Sequence, residues 1–152
     1  MIRPGTPADY AAAAAVYRAA SLSNDRDRAL LLAHPEHLVL GSEGLAQGRT
    51  WVAEQDGAVV GFATWTELEG GAELEDLFVD PAYRREGHAR ALVARLGAEL
   101  RGRGVGRLEV TANPDAMEFY VAVGFVEVGT APTEFGPAPR MVLVLGGAPG
   151  RD

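Results

Sequence analysis

The segment spanning residues 72–112 places the strongest constraint on how this chain can fold. It begins with "AELEDLFVDP", a strand pattern that ends at a proline, and it closes with the strand pattern "GRLEVTA". A helix of about fifteen residues is predicted between them, after Gly87. Its apolar side chains recur at helical spacing: Leu92, Val93, Leu96 and Leu100. A strand, a helix and a second strand predict a parallel pair joined by a right-handed crossover.

The rest of the chain adds helices and antiparallel strands. Asp56-Gly57 is a strong hairpin signal between the two strand patterns of "TWVAEQDGAVVGFATW". The other predicted elements are an N-terminal strand, helices over 6–20, 24–34 and 113–124, and strands over 125–130 and 140–145. Glycines predict a loop over much of 35–50. This order indicates an α+β fold with a mixed central sheet and about four helices. We expect one domain over 1–152, with a flexible tail at 146–152.

Net charge and cysteine content exclude several classes of protein. The formal net charge of -7 argues against nucleic-acid binding, because phosphate contacts require a basic surface. The chain has no cysteine, which excludes disulfides and thiolate chemistry, and its three dispersed histidines make a poor metal site. No apolar run could span a bilayer, and "MIRPGTPADY" lacks the apolar core of a signal peptide. We therefore expect a cytoplasmic protein that uses no metal, nucleic acid or membrane.

A cluster of arginines lies at the start of the long predicted helix, in "RREGHARALV". Free N–H groups and the helix dipole make such a helix start attractive to anions. Gly87 would permit a phosphate to approach closely, Ala89 is small, and Arg84, Arg85 and Arg90 add positive charge. Taken alone, the pattern favours a solvated arginine cluster over a phosphate site.

A second stretch, "NPDAMEFYVAVGF", reads as a helix with a cap at Asn113 and a stop at Gly124. Tyr120 shares one helical face with three apolar residues: Ala116, Phe119 and Val123. A tyrosine in this position most often packs in the core. Its phenol, with a pKa of about 10, could instead give a proton to a leaving group.

Together these two stretches resemble the GNAT superfamily of N-acetyltransferases over roughly residues 50–130. The family's cofactor motif, Q/R-x-x-G-x-G/A, is matched by "RREGHA", residues 84–89. His88 stands where the family often has an aliphatic residue, and Ala89 is an allowed alternative to glycine. The second stretch resembles the family's next motif: an asparagine, a helix carrying F-Y, and G-F opening a strand.

The resemblance implies acetyl-CoA as the co-substrate and assigns residues to it. The main-chain amides of residues 85–90 would hold the pyrophosphate with assistance from the arginines of this stretch. A bulge in the strand "LEDLFV" would open a gap for the pantetheine arm, with Phe78 N–H near the acetyl carbonyl. The implied cofactor-binding residues are Leu77, Phe78, Val79, Arg84, Arg85, Glu86, Gly87, His88, Ala89, Arg90 and Asn113. Tyr120 would protonate the departing thiolate.

The reaction also requires a group that removes a proton from the acceptor amine. An alkyl amine has a pKa of about 10.4 and is mostly protonated at neutral pH. Glu73 and Glu75 share a face of the predicted strand, and the family has its base at either position. We rank Glu73 first, although two solvated carboxylates are an equally good interpretation.

The resulting prediction is a single-domain N-acetyltransferase that moves an acetyl group from acetyl-CoA to a primary amine by direct attack. The acceptor would be a small-molecule or peptide amine, and a homodimer is expected from the exposed last strands. Two alternatives stay open: a sensor of the same fold that binds acetyl-CoA without catalysis, and an acyltransferase that uses a longer acyl-CoA.

Overall fold

The computed structural model describes residues 1–146 and contains five α-helices and seven strands within that range. The helices are α1 (Tyr10–Leu22), α2 (Asp25–Ala33), α3 (Glu43–Ala46), α4 (His88–Gly102) and α5 (Met117–Ala122). The strands are β1 (Ile2–Pro4), β2 (Thr50–Gln55), β3 (Ala58–Leu68), β4 (Gly71–Val79), β5 (Arg107–Thr111), β6 (Val126–Ala131) and β7 (Ala138–Val144). In the described part of the chain, no helix is both long and apolar enough to cross a membrane.

The strands form one mixed sheet in the order β1-β2-β3-β4-β5-β7-β6. Strands β4 and β5 are parallel, and Glu73 on β4 lies opposite Glu109 on β5. The pairs β1–β2, β2–β3, β5–β7 and β6–β7 are antiparallel. The predicted α+β class with a mixed sheet is therefore confirmed, including the parallel pair on either side of the long helix.

The chain divides into two compact units. The first comprises Met1–Trp65 and Asp76–Leu92, and the second comprises Thr66–Glu75 and the chain from Val93 onward. The expectation of a single domain stays a prediction. Apart from Gly146, the tail expected at 146–152 lies outside the described residues.

The first unit is built on the apolar face of α1. Ala13 and Val16 are buried, and Tyr10 and Tyr17 pack against the same cluster. Its other buried members come from the segment before β2, which includes α3, and from β2 and β3: Leu40, Leu45, Val52 and Phe62. The hairpin between β2 and β3 turns at Asp56 and Gly57, whose φ angles are 53° and 80°. Positive φ at both central residues is what a two-residue hairpin of type I′ requires, so the predicted hairpin is confirmed.

The second unit has its own buried residues. Leu96 and Leu100 on α4, Leu108 on β5 and Met141 on β7 are all fully buried. Leu108 lies opposite Leu143 of β7 in the antiparallel register. The helical spacing of leucines in α4 and the alternation in β5 therefore supply the core that the sequence pattern indicated.

Two predicted segments differ in detail. The stretch 35–50, expected to be loop, contains a 3₁₀ turn at Pro35–Leu38 and the four-residue helix α3. The helix expected over 113–124 is a 3₁₀ turn at Pro114–Ala116 followed by α5. Both are elements of one or two turns, for which hydrophobic periodicity carries little information.

Asp9 links the first strand to the start of α1. Two guanidinium nitrogens of Arg3 donate to its two carboxylate oxygens, each at 2.9 Å. The Thr6 N–H donates to the same carboxylate at 2.9 Å, which caps the start of the helical segment. Hydrogen bonding from Arg3 lowers the pKa of Asp9 from 3.8 to about 2.

This carboxylate should give the protein a defined sensitivity to acid. Because the pKa is lower in the folded state, the stabilisation is complete above pH 3.8 and is lost as the pH falls through about 2. We expect a loss of about 2 kcal/mol in the free energy of unfolding across that window. Urea denaturation at a series of pH values measures it. Asp9→Asn should remove this part of the dependence, and an unchanged profile in that variant would contradict the assignment.

Candidate active site

A short basic loop connects β4 to α4. Asp80 accepts a hydrogen bond from the Ala82 N–H at 2.9 Å, which closes the 3₁₀ turn after the strand. Arg85 then adopts φ 65° and Gly87 adopts φ 85°. A left-handed arginine is uncommon, because its Cβ crowds the backbone, and such residues concentrate at functional sites. The loop therefore turns the chain sharply just before the helix begins.

The start of α4 is shaped to receive an anion. A Cβ built on Gly87 has no neighbouring atom within 4 Å, so the space in front of this residue is open. The Ala91 N–H donates to the Gly87 carbonyl at 3.0 Å. The N–H groups that precede it belong to the first turn, where a helix offers them no acceptor. Open space, main-chain donors and exposed arginines together fit a diphosphate group.

Two side-chain contacts hold this basic loop in the first unit. Arg84 Nη2 donates to Ser23 Oγ at the end of α1, at 2.6 Å. His88 Nε2 and Gln55 Oε1, at the end of β2, are hydrogen-bonded at 2.7 Å. His88, which departs from the aliphatic residue common in the family motif, thus ties the start of α4 to the β2–β3 hairpin. No sequence signal pointed to either partner, because each is distant along the chain.

The second half of β4 departs from regular alternation. Ala72 and Leu74 are buried, whereas Leu77, Phe78 and Val79 are all half-buried. This change occurs where the sequence predicted a bulge. The half-buried residues are Leu77 and Val79, whose main chain the resemblance assigns to the pantetheine arm, and Phe78, whose N–H it assigns to the acetyl carbonyl.

Phe78 lies in an aromatic cluster inside the first unit. Its ring meets the Tyr17 ring edge-on at a centroid distance of 4.9 Å and the Phe62 ring at 5.8 Å. The Tyr17 hydroxyl donates to the His37 carbonyl at 2.7 Å. Burial, and secondarily the negative charge of Asp76, raise the pKa of Tyr17. The phenol therefore stays protonated and acts as a fixed hydrogen-bond donor.

In the second unit, Glu73 is held by an arginine that the sequence did not indicate. Arg140 Nη1 donates to Glu73 Oε2 at 2.7 Å, and Nη2 donates to Oε1 at 2.5 Å. The same guanidinium donates to Glu109 Oε1 and to Thr111 Oγ1, both at 2.9 Å. Both oxygens of Glu73 thus accept from one arginine in a bidentate pair.

Glu109 is the other carboxylate of this network. Arg107 Nε donates to Glu109 Oε2 at 2.5 Å. Hydrogen bonding from Arg107 and then from Arg140 lowers the pKa of Glu109 in spite of its burial. Glu109 lies opposite Glu73 in the parallel register of β4 and β5. No local sequence pattern marked Glu109 as a partner of the β4 carboxylates. The role of Arg140 could not be inferred from the sequence, because only the pairing of β7 with β5 brings it next to these carboxylates.

The remaining predicted residues of the second unit lie on β4, at the cap of the α5 segment and on α5. The Asn113 side chain accepts from the Asp115 N–H at 2.8 Å, so the predicted cap is confirmed. Tyr120 is 7% exposed and packs edge-on against Phe119 and Phe125. Burial raises the pKa of Tyr120, which keeps the phenol protonated. Glu75 is exposed to solvent.

A model of the Acetyltransferase (GNAT) family matches residues 13–125. The chain belongs to the GNAT family. Two relatives are named ribosomal protein bS18-alanine N-acetyltransferase. This GNAT chain is 32% identical to the Haemophilus ducreyi protein over 117 residues, 70% of this chain and 80% of the relative. It is 41% identical to the Escherichia coli K12 protein over 98 residues, 60% of this chain and 66% of the relative.

Solved structures agree with this membership. The crystal structure of the Escherichia coli ribosomal-protein-S18-alanine N-acetyltransferase aligns with a TM-score of 0.73 at 26% identity, covering 100% of this chain and 97% of that one. The PaiA N-acetyltransferase of Thermoplasma acidophilum, solved in complex with coenzyme A, shows the same fold with a TM-score of 0.77 at 17% identity, over 95% of this chain and 98% of the other. The predicted GNAT fold is confirmed. This GNAT chain is an acetyl-CoA-dependent N-acetyltransferase that acts on an amine.

Proposed function

We propose that this enzyme acetylates the N-terminal amine of a peptide or protein. The observation that carries the assignment of the donor site is the open, left-handed Gly87 at the start of α4, beside three arginines. The acceptor class is supported by the two relatives named for acetylation of a ribosomal protein's alanine. A predicted homodimer and a cytoplasmic location stay predictions.

The donor would be bound by groups of the first unit. The amides of residues 85–90 hold the diphosphate, and the guanidiniums of Arg84, Arg85 and Arg90 balance its charge. Main-chain groups of Leu77 and Val79 pair with the pantetheine arm, and the Phe78 N–H donates to the thioester carbonyl. A donor placed at that carbonyl stabilises the negative charge that develops during attack.

The transfer itself needs two proton movements. The amine nitrogen attacks the thioester carbon, the carbon–sulfur bond breaks, and the thiolate leaves. Tyr120, kept protonated by burial, gives its proton to that thiolate. A carboxylate takes the proton lost by the amine. No covalent enzyme intermediate is needed, because the amine attacks the thioester directly.

We place the proton acceptor at Glu75. Glu73, which the sequence ranked first, has both oxygens engaged by Arg140, and accepting a proton would break that pair. Glu75 is exposed and lies two residues along the same strand. A peptide α-amine has a pKa of about 7.7–8.0, so it loses its proton more easily than an alkyl amine. An exposed carboxylate is a sufficient base for such an acceptor.

Replacement of Glu73 and of Glu75 by glutamine should have different effects on rate and stability. Glu75→Gln should lower kcat/KM roughly tenfold to a hundredfold, most steeply at low pH, where more of the amine is protonated. Glu73→Gln should chiefly lower the melting temperature, because it leaves Arg140 without its bidentate partner. Rate profiles from pH 6 to 9 and thermal melts of both variants measure this. A larger rate loss in Glu73→Gln than in Glu75→Gln would indicate that Glu73 is the base.

The acceptor class can be tested with acetyl-CoA held fixed. Release of free thiol is followed with a peptide beginning with alanine, the same peptide with a blocked N-terminus, a polyamine and an aminoglycoside. We expect turnover with the free alanyl peptide and background rates with the blocked one. Faster turnover with the polyamine or the aminoglycoside would show that the acceptor is a small-molecule amine.

A further inference from the structure

The rings of Tyr17, Phe62 and Phe78 form a continuous aromatic wall in the first unit. They come from α1, β3 and β4, and the Phe78 ring lies between the other two. Its centroid is 4.9 Å from that of Tyr17, with an interplanar angle of 82°, and 5.8 Å from that of Phe62. These are the distances of packed aromatic pairs, so no atom fits between the rings.

Each ring of the aromatic wall is held in place. Phe62 is 1% exposed and belongs to the buried cluster under α1. The Tyr17 hydroxyl is anchored by its bond to the His37 carbonyl, which prevents the ring from swinging out. A Cβ built on Gly61 would lie 3.0 Å from the Phe78 carbonyl oxygen, so β3 lies close behind the main chain of Phe78. The aromatic wall therefore cannot retreat without a backbone shift.

We propose that Tyr17 is a specificity-determining residue that restricts the donor to a two-carbon acyl group. The inference rests on the proposed function, in which the Phe78 N–H meets the thioester carbonyl. The acyl chain then extends along the aromatic wall. An acetyl group ends at the methyl that is bonded to the carbonyl carbon, whereas propionyl and butyryl groups carry one or two further methylenes.

The extra methylenes have to displace a ring. Phe62 is fixed in the core and Phe78 is part of the sheet, so Tyr17 is the ring whose removal would open space with the least disturbance. Packed hydrophobic walls exclude one extra methylene by roughly ten- to two-hundredfold in kcat/KM. Tyr17 thus excludes longer chains through the volume of its ring, which is packed against Phe78.

The test compares acetyl-CoA, propionyl-CoA and butyryl-CoA with one alanyl peptide as acceptor. Tyr17→Ala should raise the butyryl-to-acetyl ratio of kcat/KM roughly tenfold or more over the unsubstituted enzyme. Calorimetric titration with the three acyl-CoA thioesters, without any acceptor, should show the same change in relative affinity. Because binding needs no acceptor, this measurement does not depend on having chosen the right amine.

Two matched controls separate ring volume from other effects. Tyr10→Ala makes the same change two turns earlier on α1. The Tyr10 hydroxyl also donates to a main-chain carbonyl, that of Leu40. This variant should leave the butyryl-to-acetyl ratio unchanged. Tyr17→Phe keeps the ring and should also keep the ratio. If Tyr17→Ala does not fold, Tyr17→Leu removes part of the ring volume and should still raise the ratio.

The possible outcomes distinguish this inference from the function on which it rests. A folded Tyr17→Ala or Tyr17→Leu protein with an unaltered butyryl-to-acetyl ratio, in both rate and binding, overturns the inference and leaves the transferase intact. An unsubstituted enzyme that uses butyryl-CoA as well as acetyl-CoA overturns it too. Absence of transfer from every donor to every amine would instead overturn the proposed acceptor chemistry.

Discussion

Tyr120→Phe should lower turnover about a hundredfold while leaving the affinity for coenzyme A nearly unchanged. The substitution removes one hydroxyl from a ring that packs against Phe119 and Phe125, so the shape of the buried site is kept. Loss of the proton donor forces the thiolate to leave unprotonated. Rates are measured under conditions in which chemistry limits turnover, and affinity is measured by calorimetry.

An acyl donor with a better leaving group provides the control for the role of Tyr120 as the general acid. A thioester whose thiol is more acidic needs less protonation, so the deficit of the Tyr120→Phe variant should shrink with it. If the hydroxyl has only a packing role, the variant should lose about 1 kcal/mol of stability and keep its rate. A stable variant with unchanged turnover would rule out Tyr120 as the acid.

Gly87→Val should abolish the rise in melting temperature that coenzyme A produces, without unfolding the protein. Gly87 has φ 85°, and no protein atom lies within 4 Å of an added Cβ. The new side chain would therefore extend into the space in front of the helix, where the diphosphate is proposed to approach. It would also strain a left-handed position by about 1–2 kcal/mol.

Gly104→Val is the matched control for the backbone strain. Gly104 has φ 82°, again with no atom within 4 Å of an added Cβ, but it follows the far end of α4. Both variants should melt at a similarly reduced temperature, and only Gly104→Val should keep the shift with coenzyme A. A Gly87→Val protein that still binds coenzyme A normally would show that this loop does not bind the diphosphate.

Local patterns were sufficient to predict most of the fold. The hairpin at Asp56, the cap at Asn113 and the long helix after Gly87 each depend on residues that are close in sequence. These elements form because of backbone preferences and hydrophobic periodicity, which act over a few residues. The short helix Glu43–Ala46 was missed because a single turn has no period to detect.

The candidate site could be proposed from the sequence where its residues are contiguous, and not where they depend on strand pairing. The basic loop at 84–90 is one continuous motif, so its residues could be proposed together from the sequence. The partner of Glu73 is Arg140, 67 residues away, and only the placement of β7 beside β5 brings the two together. Sequence spacing therefore identified the carboxylates of β4 but could not show that Arg140 binds Glu73.

The most direct test of the account is an intact-mass measurement after incubation with isotopically labelled acetyl-CoA and an alanyl peptide. We expect one labelled acetyl group on the peptide's N-terminal amine, no label on the enzyme after rapid quenching, and no transfer to the same peptide with a blocked N-terminus. Label retained covalently on the enzyme would contradict direct attack. Binding of acetyl-CoA without acetylation of the peptide or of any amine in the acceptor panel would contradict the central claim.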